Sequence, residues 1–351
     1  MDKTKIIAFY LPQFHAIPEN DKWWGHGFTD WNNTRKAKPL FEGQYQPKTP
    51  LGGRYYNLLD EDTQKWQANL AKEYGVYGFC YYHYWFNGKM LLEKPMENML
   101  NNKEIDLPFC ISWANEPWAR TWDGKDKEVL MPQIYGDKND WENHFNYLLK
   151  FFKDERYIKV NNKPVMLIYR TNNIDKCDEM VGFWNAKAEE NGFDGMYIVE
   201  TLNSFQTKPY IKNSSAVVEF EPTLTIRNYL PLHKQAIRLF KKKIKKLDIL
   251  DYEYLWDKII ERDIDYGKNK FFGAFVSWDN TSRKGKKGLI IDKVEPGKFF
   301  KYFKMQVEKA QKQKSEFLFI NAWNEWAEGT YLEPDDKSEY KYLEKIKEVI
   351  K

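Results

Sequence analysis

Phe317-Leu-Phe-Ile-Asn-Ala-Trp-Asn-Glu-Trp-Ala-Glu-Gly-Thr330 is the stretch on which the reading of the fold turns. Its first four side chains are apolar without interruption, as in a strand covered on both faces. It then becomes polar at once, with Asn321, Asn324, Glu325 and Glu328 set among Trp323 and Trp326. A carboxylate buried without partners costs several kcal/mol. Two of them wrapped in indoles at the end of a buried strand form either a satisfied network or a reactive site.

Seven more short apolar runs lie upstream: 6–11, 77–82, 108–112, 164–169, 195–199, 216–218 and 272–277. Helical patterns separate them at 62–74, 141–153, 178–191, 234–247, 255–262 and 298–313, and a last one covers 339–349. Eight strands alternating with helices predict an α/β fold, a (β/α)8 TIM barrel. The pattern gives it a long loop after strand 1 and an extra helix after strand 6. No linker or low-complexity segment divides the chain, so one catalytic domain is expected over 1–351. The competing open doubly wound sheet usually carries a glycine-rich turn after its first strand, where this chain has Leu11-Pro12-Gln13.

A formal charge of +4 on 351 residues is too mild for a nucleic-acid binder. An aromatic content of 17%, with 14 Trp, exceeds what a core needs and suggests that rings line a surface. Cys80 and Cys110 fall in apolar runs, and an odd cysteine count without tight spacing suggests neither disulfides nor zinc. The first strand follows Met1 almost directly, which leads to an expectation of a cytoplasmic protein. The run Lys241 to Lys246 lies in a helix whose Ile237, Phe240, Ile244 and Leu247 keep helical spacing. The ordinary reading is a solvated helix face; the alternative is a patch for an anionic partner or for peripheral membrane contact.

A barrel of this kind works at the C-terminal ends of its strands. The residues there are Tyr10, His15 and Trp31 after strand 1; Tyr82, His83, Tyr84 and Trp85 after strand 2; and Trp113, Asn115 and Glu116 after strand 3. Tyr169 and Arg170 follow strand 4, and Trp278, Asp279 and Arg283 follow strand 7. Trp323, Asn324, Glu325, Trp326 and Glu328 follow strand 8. Aromatic faces suit the C–H faces of sugars, and the carboxylates and amides suit their hydroxyls. Glu219 and Glu221 after strand 6 could be a metal pair, but no spacing singles them out, and neither a metal nor a cofactor is expected. Glycosidic cleavage needs one carboxylic acid at the leaving oxygen and a second carboxylate as nucleophile or base. Glu325 and Glu328 have those types. Glu116, in Asn115-Glu-Pro117, sits after the third strand and reads as a supporting, substrate-binding carboxylate.

Asn324-Glu-Trp-Ala-Glu-Gly-Thr-Tyr-Leu-Glu-Pro334 resembles the motif of glycoside hydrolase family 99, the endo-α-mannosidases and endo-α-mannanases. Together with 8–15, 24–32, 77–85 and 113–118, it is more similar to the WbsX-like group of bacterial polysaccharide-locus proteins. The likeness covers residues 5 to about 335. It implies a (β/α)8 barrel and a metal-independent retaining hydrolase working through a 1,2-anhydro sugar. On the matching positions Glu325 would deprotonate the sugar 2-hydroxyl. Glu328 would be the general acid at the leaving oxygen and then the base for water. Glu116 and Tyr10 would fall in the sugar pocket. The group also carries a glycosyltransferase label, so a cytoplasmic transferase of O-antigen or capsule synthesis is the alternative, and a non-catalytic glycan-binding barrel a third. A lipid-linked oligo- or polysaccharide would suit either enzyme.

Overall fold

The structure, a computed structural model, describes residues 3–120, 128–244 and 246–351. Eight parallel strands carry the architecture: β1 (Lys5–Tyr10), β2 (Gly78–Phe86), β3 (Phe109–Trp113), β4 (Lys163–Ile168), β5 (Tyr197–Leu202), β6 (Ala216–Glu219), β7 (Asn269–Phe275) and β8 (Phe317–Asn321). Each pairs with the next, and β8 pairs with β1, Lys5 opposite Phe317 and Ala8 opposite Ile320. The sheet is therefore closed, and the fold is the (β/α)8 barrel that the apolar runs predict.

Helices α1 (Pro18–Trp24) and α2 (Asp30–Lys36) lie in the long connection after β1, ahead of α3 (Glu61–Glu73). Then come α4 (Lys94–Asn101), α5 (Lys138–Phe152), α6 (Cys177–Glu190), α7 (Thr223–Asn228), α8 (Leu232–Lys243), α9 (Tyr252–Glu261), α10 (Thr281–Lys284), α11 (Pro296–Lys312) and α12 (Lys341–Ile350). Side chains cap several of them: Asp60 accepts from the N–H of Asp62, and Asp137 from Asn139, each at a helix start. The alternation fails once, since no helix crosses between β5 and β6 among the described residues. The connection after β6 carries three helices, α7, α8 and α9, and a strand, Asp248–Asp251. That strand joins Leu289–Asp292 and Trp278–Asp279 in a small outer sheet.

Inside the barrel, Phe9 meets Phe220 at 5.0 Å and Phe319 at 5.5 Å, and Phe319 meets Phe271 at 5.9 Å. Neighbours in sequence point the other way, into the helix layer, because side chains alternate across a strand. That parity decides which aromatics can meet a ligand. Cys80, Cys110 and Cys177 are buried free thiols. No helix among the described residues is long and apolar enough to cross a membrane.

Candidate active site

After β8 the chain makes a tight reversal. Asn324 and Glu325 pair antiparallel with Tyr331 and Thr330, around a short 3-10 turn at Trp326–Glu328. Gly329 closes that turn at φ 62°, and a Cβ there would lie 2.8 Å from the backbone nitrogen of Asp279. Glycine is therefore needed both for the left-handed conformation and for the close approach. Asn324 locks the reversal to β1: its side-chain oxygen accepts from the Leu11 N–H at 2.8 Å, and its amide donates to the Leu11 carbonyl at 3.0 Å. The result leaves Glu325 and Glu328 beside one guanidinium.

That guanidinium is Arg283, from α10. It donates through Nη1 to Glu328 Oε1 at 2.7 Å and through Nη2 to Asp30 Oδ1 at 2.9 Å, and Nη2 lies 3.7 Å from Glu325 Oε2. Asp30 opens α2 and is fully buried. Its second oxygen accepts from the Ala327 N–H at 3.3 Å, and Ser282 donates to the Ala327 carbonyl. The loop after β1 and the turn after β8 are thus stitched together through charge. Three carboxylates face one cation, and Glu325 Oε2 has no hydrogen-bond donor. Burial, and next the charge of Glu328, push the Glu325 carboxyl up to about 8 against the opposing pull of Arg283. Burial and the neighbouring negative charge therefore favour the protonated form of this carboxyl.

Tyrosines face this pair. Tyr82 and Tyr84, both inward-pointing on β2, have phenols raised by burial and then by the Glu325 charge. Tyr169, just past β4, is raised by burial and then by Glu116 and Glu328. Trp118 stands edge-on to Tyr84 at 5.2 Å. On the far side Arg170 holds Glu116 at 2.7 Å and lies 4.4 Å over the Phe205 ring. The site is a tyrosine-walled cleft with a protonatable carboxyl pair at one end and a half-exposed carboxylate at the other. No group of three or more His, Cys, Asp or Glu among the described residues could hold a metal ion.

Of the residues expected at the rim, the structure brings Glu325, Glu328, Tyr82 and Tyr169 together, with Glu116 across the cleft. Others lie elsewhere, and strand parity explains most of them. Tyr10 points outward and donates to Gln67 of α3 at 2.6 Å. His83 meets His144 of α5 at 3.0 Å, and Trp85 donates to Asp140 of α5 at 3.0 Å. Trp113 is buried against Trp184 and His144. None of these four faces the carboxyl pair. Asn115 is spent on the backbone of Arg170, accepting from its N–H and donating to its carbonyl. Trp31 donates to the Tyr56 carbonyl at 2.8 Å and packs on Trp326, behind the site. His15 is buried, its Nδ1 on the Pro12 carbonyl, and burial pulls its pKa down to about 4. Asp279 accepts from Gln44 at 2.9 Å and from the Thr281 N–H and hydroxyl, a structural role. Trp278 lines a neighbouring groove instead.

Trp323 and Trp326 serve the third glutamate of the motif. Glu333 accepts from both indoles, at 3.1 and 2.6 Å, from Gln67 at 2.6 Å and from Tyr56 at 2.8 Å. Burial raises its carboxyl to about 7, yet every oxygen is satisfied, so it is a structural knot. Glu219 and Glu221, the sequence's metal-pair candidate, are bound by Arg262 at 2.8 and 2.7 Å. Sequence reasoning missed Asp30 as a partner of the pair; its one signal was its place in Gly27-Phe-Thr-Asp-Trp31, a motif quoted for other reasons. Tyr84 could have been chosen over His83 by counting alternate residues along β2.

Comparisons with known proteins bear on the family and the fold. A family model described as Glycosyltransferase WbsX matches residues 6–346. An uncharacterised protein WxcX of Xanthomonas campestris pv. campestris is 35% identical over 349 residues, covering 98% of this chain and 49% of the relative. Its counterpart in strain B100 is 34% identical with the same coverage. The chain spans about half the length of these curated relatives. Among solved structures, a glycoside hydrolase-like protein superposes with TM-score 0.62 at 14% identity, covering 100% of this chain and 95% of the other. The family 99 endo-α-mannosidase of Bacteroides thetaiotaomicron superposes with TM-score 0.57 at 14% identity, covering 98% and 96%. At that identity the likeness shows the barrel fold alone. The match over nearly the whole length makes this chain a member of the WbsX family.

Proposed function

We propose that the chain is a retaining glycoside hydrolase that cuts within an α-mannoside-like bacterial polysaccharide. The observation that carries this reading is the Glu325–Glu328 pair around Arg283, set against a tyrosine-walled cleft. In the proposed first step, the Glu325 carboxylate takes the proton of the sugar 2-hydroxyl. O2 then attacks C1 as the C1–O bond to the leaving sugar breaks, and Glu328 delivers its proton to the departing oxygen. In the second step the Glu328 carboxylate takes a proton from water, the water oxygen attacks C1 as the C1–O2 bond breaks, and Glu325 returns a proton to O2. Retention follows from two displacements at one carbon. Glu116 and Arg170 would hold hydroxyls across the cleft.

Two observations favour second readings. The Glu325 carboxyl is raised by burial, while Glu328 is ion-paired with Arg283, which favours Glu325 as the acid and Glu328 as the base. The pH profile of kcat/KM separates the assignments: with Glu325 as base the rate climbs through about pH 8, and with Glu325 as acid it falls there. The description of the matching family model favours a glycosyltransferase. Digestion of polysaccharide repeat units by the wild type and Glu325→Gln, read by mass spectrometry, tests the hydrolase. No new reducing end with the wild type, together with saturable binding of a nucleoside diphosphate, would replace it with the transferase.

A further inference from the structure

A groove of about 400 Å³ adjoins the cleft between the connections that follow β5, β6 and β7. Its walls carry Arg227, Lys284, Lys287 and Arg238, and no carboxylate lines it among the described residues. Arg238 is neutralised by Asp248 at 2.9 Å. Arg227, Lys284 and Lys287 have no ion pair among the described residues. The floor is Trp278, 7% exposed, whose indole Nε1–H is buried without an acceptor. Two residues relate the groove to the carboxylates of the site. Phe205 in its wall lies beneath Arg170, the partner of Glu116, and Lys284 follows Arg283.

The other end of the groove meets Leu239 of α8. This helix is mounted with its apolar side outward. Leu232 is 84% exposed, and Leu239 and Phe240 are each 62% exposed. With 3.6 residues per turn, Leu232, Ala236, Ile237, Leu239, Phe240 and Ile244 fall within an arc of about 160°. The inward side is polar: Arg238 binds Asp248 and the Ile226 carbonyl, and Gln235 binds the Leu230 carbonyl. Lys234 and Lys241 border the exposed arc, and His233 and Lys243 lie within it. The helix ends at Lys243, and residue 245 of the lysine run lies outside the described residues. An apolar face flanked by lysines is the pattern of a helix lying in an anionic bilayer surface.

We infer that the groove is a phosphate subsite for a glycan carried on a lipid phosphate, with the exposed face of α8 seated in the bilayer. The inference rests on the sugar-cleft reading for where the glycan lies, but the phosphate and lipid contacts stand on the groove and helix alone. Unpaired cations suit a phosphate ester, and the adjacent apolar face suits the lipid.

Binding without turnover tests it, so a failed hydrolysis assay would leave the result intact. Co-sedimentation is measured with phosphatidylcholine vesicles, alone and doped with a polyisoprenyl phosphate or with phosphatidylglycerol, and with inorganic pyrophosphate or a nucleoside diphosphate as competitor. The expected result is preference for the polyisoprenyl phosphate, competition by pyrophosphate, and loss on the order of tenfold in both Lys284→Glu/Lys287→Glu and Leu239→Gln/Phe240→Gln. Circular dichroism of each variant confirms that it folds. Equal binding to both anionic vesicles, or loss in the helix variant alone, would overturn the groove and leave a bare membrane anchor. A nucleoside diphosphate that competes far better than pyrophosphate would overturn the lipid carrier. A second copy of the chain covering α8, seen as a dimer by ultracentrifugation, would also overturn it, as would no binding at all.

Discussion

Arg262 and Arg283 are both buried guanidiniums that gather carboxylates, yet they finish the task differently. Arg262 meets two, Glu219 and Glu221, and other donors complete the set. Tyr266 gives to Glu219 at 3.0 Å, and the Thr225 hydroxyl and N–H give to Glu221 at 2.9 and 3.3 Å. Each of the four oxygens has a donor. Arg283 meets three, and Glu325 Oε2 is left without a donor, with a carboxyl raised to about 8. Burial does not distinguish the two clusters; completeness does. A saturated cluster holds elements together, while an under-supplied one stores a proton and has room for a substrate hydroxyl.

The largest effect should separate the clusters by function. Glu328→Gln should lower kcat for an activated glycoside by roughly 10²–10⁴-fold, the usual worth of a positioned acid–base group. Its denaturation midpoint should barely move, because the amide keeps the shape and one acceptor for Arg283. An unchanged rate would remove Glu328 from the chemistry. Arg262→Met should do the reverse. It leaves two carboxylates buried without their cation and should cost about 3–5 kcal/mol in urea unfolding. Intact stability there would mean that the two glutamates simply take up protons, and the contrast between clusters would fail.

A third effect concerns pH. A carboxyl with a folded pKa of about 8, against an ordinary value of 4.5, binds its proton more tightly in the folded state. Its contribution to stability is therefore full below about pH 4.5 and declines as pH rises towards 8. Glu325→Gln should remove that decline and stabilise the protein by roughly 1–3 kcal/mol above pH 8, while cleavage is lost. Urea titrations of both proteins at acid and alkaline pH would show it. Parallel curves would mean that Glu325 is not strained.

The barrel was legible because apolar runs such as Phe317 to Ile320 report burial on both faces, which only a covered parallel strand needs. The carboxyl pair was legible because Glu325 and Glu328 combine charge with indoles. The roles of individual aromatics were not. His83, Trp85 and Trp113 are next to inward positions in sequence but face helices, and composition carries no parity. β2 also runs on to Phe86, so residues read as its rim belong to the strand itself. Trp323 and Trp326 looked like sugar platforms and instead donate to Glu333. Asp30 lies almost 300 positions from Ala327, whose N–H it accepts, and nothing local announces that meeting. The outward mounting of α8 was hidden for a related reason. Helical spacing shows that an apolar face exists, whereas the ion pair of Arg238 with Asp248 decides which way it turns.

The smallest expected effect lies across the cleft. Glu116 is ion-paired with Arg170 like the residues of a saturated cluster, but it stays half exposed and has no other donor among the described residues. If it binds a sugar hydroxyl in ground and transition states alike, Glu116→Gln should raise KM by about tenfold and leave kcat within a few-fold, the cost of one hydrogen bond to a charged group. The pH profile should keep its inflection near 8, because the carboxyl pair is untouched. A fall in kcat of the size expected for Glu328→Gln, or a moved inflection, would place Glu116 in the proton transfers. The cleft would then have three working carboxylates rather than a pair with a support, and the division between complete and incomplete clusters would have to be drawn around Arg170 as well.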